Sequence, residues 1–453
     1  FNRGDNEGSS FFKVNQKRGV RWNAVKAFLK PAKDRANLVV RTGAQVKRLV
    51  VEEGRAVGVV FEADGETIEV RCRREIVLSA GSIGSPHILE LSGIGRGEVL
   101  SKAGIPVLHE MDQVGENLQD HLQLRCAYKV SGIRTLNERA NSLLGKAAIA
   151  LEYLAARSGP MSMAPSQLGV FTRSDPSFET ANIQYHVQPL SLDKFGENVH
   201  PFPAFTASVC NLRPESRGSV HAKSADFRAQ PAIAPNYLSA ETDRRVAADS
   251  IRVTRAIVAQ PALAPYRPEE FRPGPAFKSQ EELVQAAGDI GTTIFHPVGT
   301  CRMGTDDGAV VDPRLRMRAL GRLRIADAST VNDVGSGTDY SSSGGDSSGT
   351  SWFGGLFCLS FLAIIGFGVV RAVLGLVRRA ADSGLTALVA LLFVASLLTG
   401  PAHVGAVDSL AALFRGQDDM LALVMREIRL PRAILGLPVP VFASSLSYYD
   451  SLR

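Results

Sequence analysis

Several things are scarce in this 453-residue chain. It has five cysteines, Cys72, Cys126, Cys210, Cys301 and Cys358, with no CxxC and no regular spacing. That pattern suggests neither a disulfide framework nor a zinc site, and reduced cytoplasmic thiols are the default expectation. No metal site is expected. Charge of one sign is also scarce. The formal net charge is only +6, and residues 1–80 alone carry 16 Lys+Arg against 10 Asp+Glu. Those basic residues alternate with acids and apolar positions, which reads as a solvated surface rather than a nucleic-acid patch. No GxGxxG follows a strand. Gly93-Ile94-Gly95-Arg96-Gly97 comes after a helical run and is not a dinucleotide fingerprint. The chain begins with Phe1 and opens on no signal peptide, so it reads as a piece whose beginning is missing.

What is present concentrates between Gly291 and Ser329. There His296 stands on a Phe-His-Pro-Val-Gly-Thr turn. Pro297 fixes φ after it, and Gly299 allows close backbone approach. A polar loop and a Val-Val-Asp-Pro step follow, then a short apolar strand, 323–326, ending in Asp327-Ala328-Ser329. Local chemistry leaves two readings open: a structural histidine in a tight turn, or a base beside backbone amides and a carboxylate at a strand end. Upstream, Arg74 to Gly81 reads as a buried strand entering a glycine turn, with a helix from His87 to Leu91 beyond it. A strand, a small-residue turn and a helix N-terminus can accept a phosphate or a cofactor edge.

HPVGTCRMG followed by VVDP and LRIADAS resembles the C-terminal signature of the glucose-methanol-choline (GMC) flavoprotein oxidoreductases, closest in flavour to choline and alcohol dehydrogenases. GSIGSPHILELSGIG resembles the second signature of the same family, which lies against the flavin. NLVVRTGAQVKRL, VGENLQDH, RPESRGSV and APNYL are similar to further family segments. The resemblance implies FAD as cofactor and His296 as the catalytic base. It implies Asp327, with Ala328, beside the flavin, Ala80, Gly81 and Ser82 along it, and the backbone of Val46 at the adenine. As chemistry Val46 is an ordinary strand residue. The implied reaction is oxidation of a CH–OH group. His296 takes the hydroxyl proton and the hydride passes to the flavin, with quinone or oxygen as the final acceptor. The partner is a small-molecule alcohol. Two departures stand out. The family's GxGxxG start is not among these residues, and its second catalytic position falls on Tyr340.

Read in order, helix is expected over Trp22–Leu29, ended by Pro31. Short strands are expected at Leu38–Thr42, Val46–Val51, Ala56–Phe61 and Thr67–Cys72, with turns at Gly54 and at Ala63-Asp64-Gly65. Asp120 and His121 read either as a second acid–base pair or as structural residues, with the structural role favoured. Helices are expected over Ala147–Ala156 and Thr242–Val258, and antiparallel strands at Ile183–Val187 and Ala204–Leu212. Met161, Met163, Phe202 and Phe205 suit either an apolar substrate pocket or plain core packing, the latter favoured.

The expected architecture is therefore mixed α/β and α+β. It has a partial FAD-binding domain (1–127), an antiparallel-sheet substrate domain (128–290), a catalytic and FAD-contacting segment (291–337) and a Ser/Gly linker (338–351). C-terminal membrane helices would follow (352–453). Trp352–Val370 and Gly384–Val407 are uncharged runs of spanning length, the first ended by Arg371 and then Arg378-Arg379. Residues 385–437 resemble the first part of iron-siderophore ABC-transporter permeases. The expectation is a membrane-associated protein with its catalytic part cytoplasmic, joined through 352–407. The competing expectation is a membrane transport component carrying an inactive soluble remnant.

Overall fold

The computed structural model describes residues 7–334, apart from 165, 194 and 195. Two layered regions meet at the segment 291–330. The first is built on a three-stranded antiparallel meander. Its strands are β2 (Gln45–Glu52), β3 (Arg55–Ala63) and β4 (Glu66–Arg71). Two-residue turns join them, and both residues of each turn have positive φ: Glu53-Gly54 and Asp64-Gly65. This is the twist-matched hairpin geometry that Asp-Gly signals. Beside the meander, β5 (Ile76–Leu78) runs into helix α1 (Gly81–Leu91). Strand β12 (Leu323–Ile325) pairs with β5 in parallel, Leu323 opposite Ile76 and Ile325 opposite Leu78. Leu49, Leu78, Leu89, Val310, Val311 and Ile325 share the core here.

Pro86 lies inside α1. A proline cannot donate to the carbonyl four residues back, and that carbonyl, of Ser82, instead accepts the Thr300 hydroxyl at 2.7 Å. The sequence places the helix start at His87. It begins six residues earlier because Thr300, far along the chain, supplies the bond that proline removes.

The second region is a seven-stranded antiparallel sheet. It takes strand β1 (Gly8–Phe11) from the chain start and β6 (Leu122–Lys129). Helix α2 (Leu143–Ala156) follows, then β7 (Leu168–Thr172), β8 (Ile183–Gln188) and β9 (Ala204–Asn211). Helix α3 (Glu241–Val258), β10 (Glu269–Arg272), helix α4 (Gln280–Ile290) and β11 (Gly291–Thr293) complete it. The order is β1-β7-β8-β9-β6-β10, with β11 also on β6. Leu124, Cys126, Tyr185 and Val209 point to one face, as the period of two requires. They pack on Val246, Ala247, Ile251 and Val258 of α3, which recur at helical spacing. Fully buried aliphatic side chains such as Ile251 and Leu283 contribute roughly 1.5–3 kcal/mol each. Ser279 and Glu282 close a capping box at the start of α4.

The structure corrects two local expectations. Leu38–Thr42 is not a strand, and Val39 and Val40 are 89% and 52% exposed. β-branched residues favour strands only where neighbours cover them, and no described strand pairs there. Pro31 does not end the first helix. It opens a further short turn, Lys30–Ala32, at a position where its missing N–H costs nothing. Phe202 and Phe205 are packing residues: Phe205 stacks on Tyr128, and Phe202 stacks on His200 and meets Phe271 edge-on. Among the described residues no helix is long and apolar enough to cross a membrane. The expected linker, both spans in 352–407, the permease-like stretch and Tyr340 lie outside the described residues.

Candidate functional site

At the junction, three segments distant in sequence are tied by a few polar contacts. Gly81 has φ +80 at the head of α1, a conformation glycine adopts without strain. Its N–H donates to Asp327 Oδ2 at 2.9 Å, and the Ser85 hydroxyl donates to the same oxygen at 2.5 Å. Asp327 Oδ1 accepts the Ser329 N–H at 2.8 Å. The carboxylate, 2% exposed, is thus spent inward, fixing the glycine turn to the strand end. Ser82 donates to the carbonyl of Pro297 at 2.6 Å, and Gly299 N–H donates to Ala328 O at 3.3 Å. These bonds set the His296 loop against the turn. Gly299 itself is required by Asn117, whose carbonyl would lie 2.5 Å from an added Cβ.

His296 sits at the other end of that loop. The preceding Phe295 has φ +65, strained for a bulky side chain, and its N–H is held by Thr293 Oγ at 2.8 Å. The His296 N–H donates to Asp120 Oδ1 at 2.9 Å. Asp120 Oδ2 accepts the hydroxyls of Thr293, at 2.5 Å, and of Tyr237. The imidazole ring meets His121 edge-on, with centroids 5.5 Å apart and Nδ1 to Nδ1 3.3 Å.

This contact assigns the protons. His121 Nε2 lies 3.2 Å from the carbonyl oxygen of Leu212. A carbonyl only accepts, so His121 Nε2 carries hydrogen. Burial first, and then the nearby His296 ring, with which His121 would share a second positive charge, push the His121 pKa down to about 3, so its ring is neutral and its Nδ1 accepts. The donor across the 3.3 Å contact is therefore His296 Nδ1. Burial also holds His296 below the usual histidine value, opposed by the Asp120 carboxylate. A neutral His296 protonated at Nδ1 leaves Nε2 with a free lone pair, the form a general base needs.

Of the residues singled out in the sequence, His296, Gly81, Ser82, Asp327 and Ala328 converge here, with Ala80 exposed at the rim. Val46 stands apart, half-buried in β2 opposite Phe61. Asp120 and His121, for which a structural role is the favoured expectation, both reach His296, one at its backbone and the other at its ring. Ser85, Thr300, Thr293 and Tyr237 escaped sequence reasoning. Their hydroxyls carry little local signal, because apart from the Ala80–Ser85 and Thr293–Phe295 bonds each partner lies 117 residues or more away.

Fold and site define a mixed α/β protein that presents a neutral histidine beside a glycine-headed helix turn. The chain belongs to the GMC oxidoreductase family, whose N-terminal and C-terminal profiles match residues 1–123 and 214–339. It is 36% identical to an alcohol dehydrogenase [acceptor] of Pseudomonas putida, over 74% of this chain and 61% of that protein. An oxygen-dependent choline dehydrogenase of Pseudomonas putida is 40% identical over 70% of this chain and 56% of its own length. The chain thus spans about three fifths of the curated relatives it matches. Among solved structures, pyridoxine 4-oxidase from Mesorbium loti superposes with a TM-score of 0.63 at 29% identity, covering 73% of this chain and 61% of that one. Formate oxidase shares the fold, with a TM-score of 0.67 at 24% identity over 73% of this chain and 62% of that one.

Proposed function

We propose that the protein is an FAD-dependent oxidoreductase acting on the CH–OH group of a small alcohol, with quinone or oxygen as the final electron acceptor. The observation that carries this reading is the His121–His296 contact, which leaves His296 Nε2 unprotonated. The residues present suit a flavin. No atom lies within 4 Å of a Cβ built on Gly81, so the turn faces open space. Nearby, Gln119 Oε1 is buried without a protein partner, while Gln119 Nε2 is fixed to the carbonyl of Asn332 at 2.8 Å. Ala80, Gly81, Ser82 and Ala328 would hold the ring edge, and Asp327 would hold the turn that presents them. FAD supplies the hydride acceptor.

The chain's own residues do the rest. His296 Nε2 removes the hydroxyl proton as the carbinol hydrogen leaves, and the developing alkoxide makes that hydrogen a better hydride donor. A positioned base of this kind contributes typically about 10²–10⁴-fold. Asp120 and the Thr293 hydroxyl hold the loop on which the base rides. Because the His296 pKa is depressed, the base is available below pH 6.5, and the acid limb of kcat/KM is expected there.

The test is the visible absorption of the purified chain incubated with FAD, then with an alcohol in the absence of oxygen. Bound flavin that bleaches on adding alcohol, and fails to bleach in His296→Ala, supports the reading. Undiminished bleaching in His296→Ala removes His296 from the chemistry.

A further inference from the structure

Helix α2 is apolar on the side that faces water. Among the described residues Tyr153 is its one buried residue, while Leu143, Leu144, Leu151 and Leu154 are 85%, 85%, 66% and 49% exposed. At about 100° per residue, these leucines and the exposed Ala147 and Ala148 fall in one arc of about 140°, opposite Tyr153. An apolar arc of that width ordinarily faces a core. Here the helix is held by its ends instead. The Ser142 hydroxyl caps the first turn, accepting the Gly145 N–H at 2.9 Å. Tyr153 fastens the last turn, donating to the Gly19 carbonyl at 3.0 Å. A contiguous apolar patch left on a surface marks a protein or membrane contact.

The surroundings of α2 are basic. Its charged residues are Lys146 and Glu152, and Glu152 is paired with Arg139 at 3.3 Å. The tip of the hairpin 16–21, where Gln16 pairs with Arg21 and Lys17 with Val20, lies against the last turn. A Cβ on Gly19 would meet the Arg157 carbonyl oxygen at 2.2 Å. Lys17 and Arg18 are exposed at that tip. Between Glu7 and Asp34 the chain carries seven Lys and Arg and no Asp or Glu, so the ten acids of residues 1–80 all lie outside this stretch. Trp22, 37% exposed, has Lys17 Nζ and Lys26 Nζ at 5.0 and 5.8 Å from its ring centroid. Leucines, a tryptophan and cations match the acyl chains, interface and anionic headgroups of a bilayer surface. The cations stand behind the helix, but headgroup attraction reaches about a Debye length, ~10 Å, which is about one helix width. A second copy is the poorer match, since a two-fold contact here would set the same cations against each other.

We propose that α2 is a bilayer-docking helix. Its leucine arc enters the interface of an anionic phospholipid membrane, and the cations of the hairpin 16–21 meet the headgroups. This contact is separate from the runs expected within 352–407 and from the chemistry at His296.

The test uses the full chain with vesicles of equal parts phosphatidylglycerol and phosphatidylcholine, and with phosphatidylcholine vesicles alone. Co-sedimentation should be at least about tenfold stronger with the anionic vesicles and should fall as salt is added. Leu144→Ser with Leu151→Ser should weaken it at least about tenfold. Lys17→Gln with Arg18→Gln should weaken it about tenfold on the anionic vesicles alone. All four side chains are exposed, so neither pair is expected to disturb folding. A local reading prevents a second membrane contact from masking the result. An environment-sensitive fluorophore on Leu151→Cys, with Cys72→Ser and Cys358→Ser, should shift to the blue when anionic vesicles are added. The same label on Val70→Cys, exposed on the meander, should not. If vesicle binding survives in the leucine variant, the label decides: a shift at 151 supports the inference, and no shift overturns it. A label at 151 that responds to protein concentration and not to vesicles assigns the arc to a second copy and overturns it as well.

Discussion

Asp327 and Asp120 are two buried carboxylates, one on each side of the junction, and each is held by three donors. Asp327 takes the N–H groups of Gly81 and Ser329 and the Ser85 hydroxyl. Asp120 takes the His296 N–H and the hydroxyls of Thr293 and Tyr237. Their neighbours differ. Around Asp327 sit serines, glycine and Cys301, whose thiol burial keeps protonated. Beside Asp120 sits His296, the ring proposed as the base, whose proton affinity the Asp120 carboxylate raises. The same hydrogen-bonding device thus fixes geometry on one side and proton affinity on the other.

Removing Asp327 tests the geometric side and has the largest expected effect on stability. Asp327→Ala leaves two backbone N–H groups and a hydroxyl without their acceptor. At about 1–3 kcal/mol for a buried donor left unsatisfied, and with some relief from rotation, the loss is about 3 kcal/mol. Urea unfolding measures it, and an unchanged midpoint would show that the turn holds itself. Asp327→Asn keeps the shape and should leave the pH profile of turnover where it was. Asp120→Asn should move that profile instead. Its carboxylate raises the His296 pKa against burial. Without the charge the pKa falls further, and the acid limb of kcat/KM shifts to lower pH. Coincident profiles for Asp120→Asn and the unmodified protein would erase the distinction between the two aspartates.

His121 sharpens the same contrast at smaller scale. It is a positioning residue, acting on His296 through the Nδ1 contact. His121→Phe removes the acceptor that fixes the tautomer, and kcat should fall about tenfold, or about 1.4 kcal/mol, with KM little altered. His121→Gln, whose amide oxygen can accept, should recover most of the loss. Equal loss in both would assign His121 to packing instead.

Much of the sheet region was legible because its signals are local. Alternation marked β8 and β9, helical spacing marked α3, and Asp-Gly marked the β3–β4 turn. The junction was legible only in part. His296 and Asp327 stood out as chemistry-bearing residues at a turn and a strand end. What holds them did not, because Ser85, Thr300 and Tyr237 work through contacts made by the folded chain alone. Leu38–Thr42 failed for the same reason: strand propensity says that residues suit a sheet, not that one is beside them.

A third buried carboxylate, Glu90 of α1, gives the smallest effect and the opposite sign. Its Oε1 lies 2.7 Å from His221 Nδ1, and Glu116 lies 3.1 Å from His221 Nε2. A ring that donates from both nitrogens is an imidazolium, and Glu90, followed by Glu116, raises the His221 pKa above the usual value. The folded state therefore binds this proton more tightly than the unfolded chain. The stabilisation is complete below about pH 6.5, the unfolded value, and is lost as pH rises through the raised folded value. Its size is on the order of 1 kcal/mol, because His221 is only half-buried and solvent screens the pair. The buried neutral rings His121 and His186 work the other way. Their depressed values cost stability as pH falls from 6.5 towards 3. Unfolding midpoints measured from pH 5 to 9 should show His221→Gln losing stability relative to the unmodified protein at the acid end and converging with it at the alkaline end. A constant offset across that range would mean that His221 contributes shape alone and that α1 is tied to the Ser219–His221 strand by packing rather than by charge.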